Sequence, residues 1–187
     1  MIGPAFETLL GDAKGGDEHA FRVLYRDLQP SLLRYLRVLA PGAAEDLAAE
    51  TWLRVVRQLG RFGGAEPAFR AWVFLIARHR AIDWRRLAAR RQTEPVPVEA
   101  FVDQWAADDP AACALEAIST QAAITLIASL PVEQAEVIML RVVAGLEVAR
   151  VAELVGKPPG TVRVLAHRGL RRLAERLGAE VGVHGVV

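Results

Sequence analysis

The chain has 187 residues, 52% of them hydrophobic and 24% charged, with a formal net charge of +1. That length holds one medium domain or two small ones, and so small a total charge excludes a uniformly cationic protein that binds nucleic acid by bulk charge. The single cysteine, Cys113, excludes an internal disulfide framework and a cysteine cluster for zinc, and suits a reducing compartment.

Taken in chain order, residues 1–16 read as an N-terminal arm. A short helix, Phe6–Leu10, is followed by a glycine hinge at Gly11, Gly15 and Gly16. A longer helix opens at Asp17, an N-cap residue, and carries Phe21, Leu24, Tyr25, Leu28, Leu32, Leu36 and Leu39 at helical spacing. A kink is expected at Pro30, and Pro41-Gly42 ends the helix. The next helix, Ala43–Leu59, lays Ala44, Leu47, Ala48, Thr51, Val55, Val56 and Leu59 on one stripe. Its acids (Glu45, Asp46, Glu50) come early and its bases (Arg54, Arg57) late, as the helix dipole favours. Gly60–Pro67 is a loop. A fourth helix, Ala68–Arg90, is expected to bury Phe69, Trp72, Val73 and Ile76, and its second half is strongly basic: residues 70–91 hold seven arginines against Asp83.

Residues 92–111, punctuated by Pro95, Pro97 and Pro110, read as a linker. From Gln92 to Thr120 there are six acids and no base, although Phe101, Val102 and Trp105 are more hydrophobic than a solvated tether needs. A helix over Ala111–Leu130 opens a second module, and another starts near Pro131 and runs through Val137, Ile138, Leu140 and Val143 to Gly145. Leu146–Val155 is a short helix with Val148, Val151, Ala152 and Val155 inward, and Gly156 stands where a left-handed residue ends a helix. Lys157-Pro158-Pro159-Gly160 then interrupts the chain, and Thr161 is placed to cap a last helix reaching Leu177. One side of that helix carries Val162, Leu165, Ala166, Gly169, Leu170, Leu173 and Leu177. The other carries Arg163, Val164, His167, Arg168, Arg171, Arg172 and Arg176. Residues 157–178 hold Lys157 and five arginines against Glu175 alone, whereas a solvated helix face usually mixes both signs. An anchored helix with an arginine-lined outer face suits the major groove, so residues 130–178 read as a DNA-binding helix-turn-helix.

The expected architecture is all-α, with two small helical domains, 17–91 and 112–178, joined by the acidic linker 92–111 and followed by a frayed tail, 179–187. No catalytic constellation, metal site or cofactor site is expected. The four histidines (His19, His79, His167, His184) fall on different segments, and the Gly60–Gly64 run lacks the strand and lysine of a phosphate loop. No run approaches the ~20 apolar residues of a bilayer span and no signal peptide is visible, which points to a cytoplasmic protein.

Three runs resemble the sigma-70 family of transcription initiation factors, in its small extracytoplasmic-function (ECF) group. They are Ala44-Glu45-Asp46-Leu47-Ala48-Ala49-Glu50-Thr51-Trp52, the run Phe69-Arg70-Ala71-Trp72 through Ile82-Asp83, and Leu154-Val155-Gly156 through Gly160-Thr161-Val162-Arg163. The chain departs from the family pattern at Ala49, His79, Val164 and Leu165.

The resemblance implies a factor that binds core RNA polymerase, at the clamp helices of its largest subunit and at its flap, and directs it to promoter DNA. Asp46, Leu47, Glu50, Trp52 and Leu53 would dock the polymerase, with Trp52 alternatively a core residue. Arg61, Phe62, Arg78, His79, Arg80, Arg85 and Arg86 would meet the melted −10 element, with Trp84 either stacking on a base or packing inward. Thr161, Arg163, Val164, His167 and Arg168 would face the −35 element, with Arg171 and Arg172 on phosphates. The acidic linker would thread the polymerase's positively charged channels, and an anti-sigma factor is an expected partner. The competing reading is a stand-alone helix-turn-helix regulator.

Overall fold

The computed structural model of the chain describes residues 2–91 and 121–183, with side chains described up to residue 90 in the first part and 177 in the second. Every regular element among the described residues is helical. After a single 3₁₀ turn, Gly3–Ala5, come α1 (Phe6–Lys14), α2 (Glu18–Leu39), α3 (Ala44–Gln58) and α4 (Glu66–Arg91). A helix over 121–128, here α5, precedes α6 (Val132–Ile138), α7 (Val148–Val155) and α8 (Pro159–Val183). The linker with Phe101, Val102 and Trp105, and the end of the tail, lie outside the described residues.

α1 does not stop at Leu10. It continues through Gly11 to Lys14, because Phe6, Leu10 and Ala13 share one buried face that outweighs the ~1 kcal/mol cost of a helical glycine. The segment is stitched down rather than hinged. The Ile2 and Gly3 amides donate to the two carboxylate oxygens of Glu66 at 2.9 and 2.8 Å, and the Phe6 ring packs 5.6 Å from Phe69. α2 begins as its sequence indicates, with the Asp17 carboxylate accepting from the Ala20 amide at 2.7 Å. It runs on through Pro30 to Leu39 and buries a leucine ladder together with Tyr35.

α3 and α4 pack against α2 and against each other. On α3 the buried stripe includes Trp52 and excludes Val56, which is 55% exposed. On α4, Phe69, Val73, Phe74, Ile76, Ala77 and Ala81 are buried while Trp72 is half-buried, so Phe74 takes the inward place expected of Trp72. Arg70 is buried too. It reaches Asp27 at 2.7 Å and Glu66 at 3.6 Å, and belongs to the core of this module rather than to its basic surface.

In the second module Pro131 is the N-cap of α6, its carbonyl accepting from the Gln134 and Ala135 amides, so Val132 takes the first helical position. The helix then widens into a π-turn over Met139–Val143, where the Ala144 amide bonds to the Met139 carbonyl. α8 outlasts the expected end at Leu177 and reaches Val183. The modules also touch. α2 packs on α6 and the π-turn, α7 meets α4, and the buried residues form one continuous cluster across both.

Candidate nucleic-acid interface

The helix-turn-helix is built by three local devices. α7 buries Val151, Ala152 and Leu154 and ends on Gly156 in the left-handed region, φ 67° and ψ 36°, with its N–H on the Ala152 carbonyl. The Pro158 carbonyl accepts the Val162 amide at 3.1 Å, so α8 starts at Pro159, where a missing N–H costs nothing. Thr161 therefore stands inside the first turn of α8, not at its cap. Val162 is wholly buried, and Gly169 is buried against α6, while Leu165, Ala166 and Leu173 are half-buried. Leu170 and Leu177, expected inward, are each 50% exposed because the contact with α6 is narrow and passes through Gly169.

What α8 presents outward is the predicted set. Thr161, Arg163, Val164, His167, Arg168, Arg171 and Arg172 are all exposed. Arg163, His167 and Arg171 recur at four-residue intervals, with Val164, Arg168 and Arg172 in the row beside them. Two of these cations already have partners: Arg172 donates to Gln134 Oε1 at 3.0 Å, and Arg171 lies 3.4 Å from Glu175.

The candidates on α4 and its preceding loop are more engaged. His79 and Arg86 are exposed, as is Arg61, and Arg85 and Trp84 are half-buried, with Trp84 packed against the core. Arg78 Nε lies 2.8 Å from Glu136 Oε1 of the second module, and Arg80 Nε 3.7 Å from Glu50. Phe62 stacks on Trp72 (5.0 Å between centroids, 25° between planes) and meets Phe69 edge-on, while its carbonyl accepts from Lys14. In this structure Phe62 is a packing residue that folds the loop down on α4.

On α3, Asp46, Glu50 and Leu53 face solvent, whereas Leu47 and Trp52 do not. The Trp52 indole donates to Gln29 Oε1 at 2.6 Å and sits between Phe21 and Tyr25 at 5.9 and 4.9 Å. Beside it an open groove of about 520 Å³ runs between α2 and α3, lined by Tyr25, Leu33, Ala49, Trp52, Leu53 and Val56. Glu45 stands on its rim. Burial works against the charged form of Glu45, but the hydrogen bond from Arg37, its own backbone N–H and the Arg37 charge together hold its carboxyl below the usual range. The apolar lip at Leu53 and Val56, 56% and 55% exposed, includes a residue the sequence pattern had assigned inward.

Among the described residues no three His, Cys, Asp or Glu side chains converge as metal ligands. Among the same residues every buried side-chain nitrogen or oxygen has a hydrogen-bond partner, and no described helix is long and apolar enough to cross a membrane.

Two family models match the chain: sigma-70 region 2 over residues 24–91 and sigma-70 region 4 over residues 120–173. The chain is 34% identical over 186 residues to the ECF RNA polymerase sigma factor SigD of Mycobacterium tuberculosis, covering 96% of this chain and 87% of that protein. It is 36% identical over 177 residues to the ECF RNA polymerase sigma factor ShbA of Streptomyces griseus, covering 89% and 92%. Among solved structures it resembles the sigma factor RpoE of Bartonella quintana in complex with the anti-sigma factor NepR. That match has a TM-score of 0.67 at 23% identity, covers 84% of this chain and 96% of that one, and speaks to the fold.

Proposed function

The chain belongs to the ECF group of the sigma-70 family of RNA polymerase sigma factors, and from that premise we propose how its three exposed faces divide the work of directing the polymerase to promoters. The outer face of α3, with Asp46, Glu50 and Leu53 joined by Val56, docks the clamp helices of the polymerase's largest subunit. Acids ring an apolar lip there, which fits a basic, amphipathic helical partner. Leu47 and Trp52 support that face from beneath. They shape the groove instead of forming its surface.

The basic half of α4 receives the single-stranded −10 element. Arg78, His79, Arg80, Arg85 and Arg86 supply cations for the displaced backbone, and Trp84 lies among them as a stacking surface. The outer rows of α8 enter the major groove at the −35 element. Arg163, Val164, His167 and Arg168 reach base edges, and Arg171 and Arg172 hold phosphates. The observation that carries this reading is the α8 face itself: seven predicted contact residues all turned outward from a helix anchored by Val162 and Gly169. A stand-alone regulator would leave the region 2 match over residues 24–91 without a role.

The protein works in the cytoplasm, where the polymerase is, and an anti-sigma factor that covers α3 or α8 would hold it inactive. The test is assembly: the full chain should co-elute with purified core polymerase, and the complex should bind promoter fragments that neither part selects alone. A chain that binds DNA selectively without polymerase would overturn the reading.

A further inference from the structure

We infer that the N-terminal arm braces the loop between α3 and α4, and that Lys14 is a positioning residue for base selection at the −10 element. The inference rests on the assignment of α4 to that element. Positions 60, 63 and 64 of the loop are glycines, and glycine loses more freedom on folding than any other residue. Such a run has little to fix one shape from within. The arm fixes it from outside, at both ends. At the first end the Lys14 ammonium donates to the Phe62 carbonyl at 2.5 Å. At the other, the Ile2 and Gly3 amides donate to Glu66, which stands in the first turn of α4. These three bonds span 48 to 64 positions of sequence, so they are not by-products of local helix geometry. Beneath the loop the rings continue the support: Phe6 of α1 packs on Phe69, and Phe69 meets Phe62.

The braced loop adjoins the surface given to the −10 strand. Phe62 stacks on Trp72, and Trp72, His79 and Arg86 follow one another two turns apart along one row of α4. The loop therefore covers the start of a row whose later members, His79 and Arg86, are exposed. Its tip, Gly63-Gly64-Ala65, is also exposed and carries no side chain larger than a methyl group, with Arg61 exposed beside it. Bare backbone lets a base come close, and an extruded base is read by hydrogen bonds along its edge. Gly64 takes φ 145°, and a Cβ built there falls 3.1 Å from Ala68 Cβ, so this tip conformation belongs to glycine. A recognition site must hold its groups to within roughly 0.5 Å of the productive geometry. Lys14 is exposed, so its loss matters little to the stability of the fold. It matters to the place of the Phe62 peptide, and so to the tip that follows.

The test uses the full chain as holoenzyme with purified core polymerase, selecting from two promoter pools, one randomised across the −10 element and one across the −35 element. Lys14→Met keeps the aliphatic stem and loses the donor. Its preference at one −10 position should fall on the order of tenfold, the discrimination of a single base contact, with the −35 profile unchanged. In the free chain its melting temperature should stay nearly constant. The Phe62 amide, bonded to the Leu59 carbonyl at 3.0 Å, should exchange with deuterium several-fold faster. Lys14→Arg, which keeps a donor, should match the unmodified chain in every measurement. An unchanged −10 preference in Lys14→Met, or a Phe62 amide that exchanges at its original rate, would overturn the brace. Equal losses in both pools would overturn it too, since they report weakened assembly. His79→Ala separates this inference from the reading beneath it. Weaker recovery of all −10 sequences alike upholds the α4 assignment whatever Lys14→Met does; an unchanged recovery overturns that assignment and the brace with it.

Discussion

Gly169 lies tight against Ile138: a Cβ built at position 169 falls 2.6 Å from Ile138 Cδ1, the far end of a flexible side chain, and 3.3 Å from Gln134 Cβ. This contact sets how closely α8 lies on α6, and with it the pose of the arginine face. Gly169→Ala should therefore turn the Ile138 end group aside and press on Gln134, a cost that offsets the ~1 kcal/mol by which alanine is the better helix former, so stability should change by less than about 1 kcal/mol. Ile138→Val, which removes Cδ1, should make the Gly169→Ala change a net gain. Urea denaturation of the three variants measures this; a loss of about 3 kcal/mol in Gly169→Ala would mean that Ile138 cannot move aside.

Arg70 sits inside the basic run of α4 but should behave as a structural residue. Replacing it with Met takes a mostly buried cation away from Asp27 and Glu66, although Glu66 keeps the Ile2 and Gly3 amides, at a cost of about 3 kcal/mol. Breaking the exposed Arg37–Glu45 pair should cost less than about 1 kcal/mol. Thermal melts of Arg70→Met and Arg37→Gln should separate the two clearly, with Arg70→Met also losing its clasp on the α2–α4 packing.

Tyr35 makes stability sensitive to alkali. Burial, and next the Glu136 charge, raise its phenol well above the ordinary value, while Arg78 works in the opposite direction. In the unfolded chain the phenol titrates near ~10, so it sheds its proton there first. The contribution is therefore complete below about pH 10 and is lost as pH rises toward the folded-state value. The urea midpoint of the unmodified chain should fall more steeply above pH 10 than that of Tyr35→Phe; parallel curves would contradict the assignment.

The α3 face divides into surface and support. Leu53→Asp and Val56→Asp should leave the melting temperature nearly unchanged and abolish co-elution with core polymerase. Trp52→Ala should instead destabilise the fold by about 3–5 kcal/mol, because it empties the space between Phe21 and Tyr25 and orphans Gln29. Calorimetry beside gel filtration distinguishes the two classes.

On α8 the two rows should part company. Arg163→Ala should relax base preference at one position of the −35 element, by about 1–3 kcal/mol of discrimination. Arg171→Ala should weaken all promoters alike and flatten the salt dependence by about one phosphate. Promoter profiling of the two holoenzymes at two salt concentrations reads both effects.

Local chemistry made much of this architecture legible. The Asp17 cap, the left-handed Gly156 and the arginine rows of α8 each depend on residues within a few positions, and each stands where its pattern placed it. What escaped depends on distant partners. Trp52 turns inward because Phe21 and Tyr25 wait on α2, and Val56, one residue from the stripe's edge, is left exposed. Arg70 looked like surface charge until Asp27 and Glu66 came to meet it. The π-turn at Met139–Val143 has no periodic signature, and the Arg78–Glu136 pair joins residues 58 positions apart in the chain.

Start-site mapping on a genomic fragment pool, transcribed by purified core polymerase with and without the full chain, tests the central claim most directly. A defined set of starts that appears only with the chain, sharing one −10 and one −35 sequence and lost in Leu53→Asp, is the predicted result. Identical transcript ends in both reactions would contradict it.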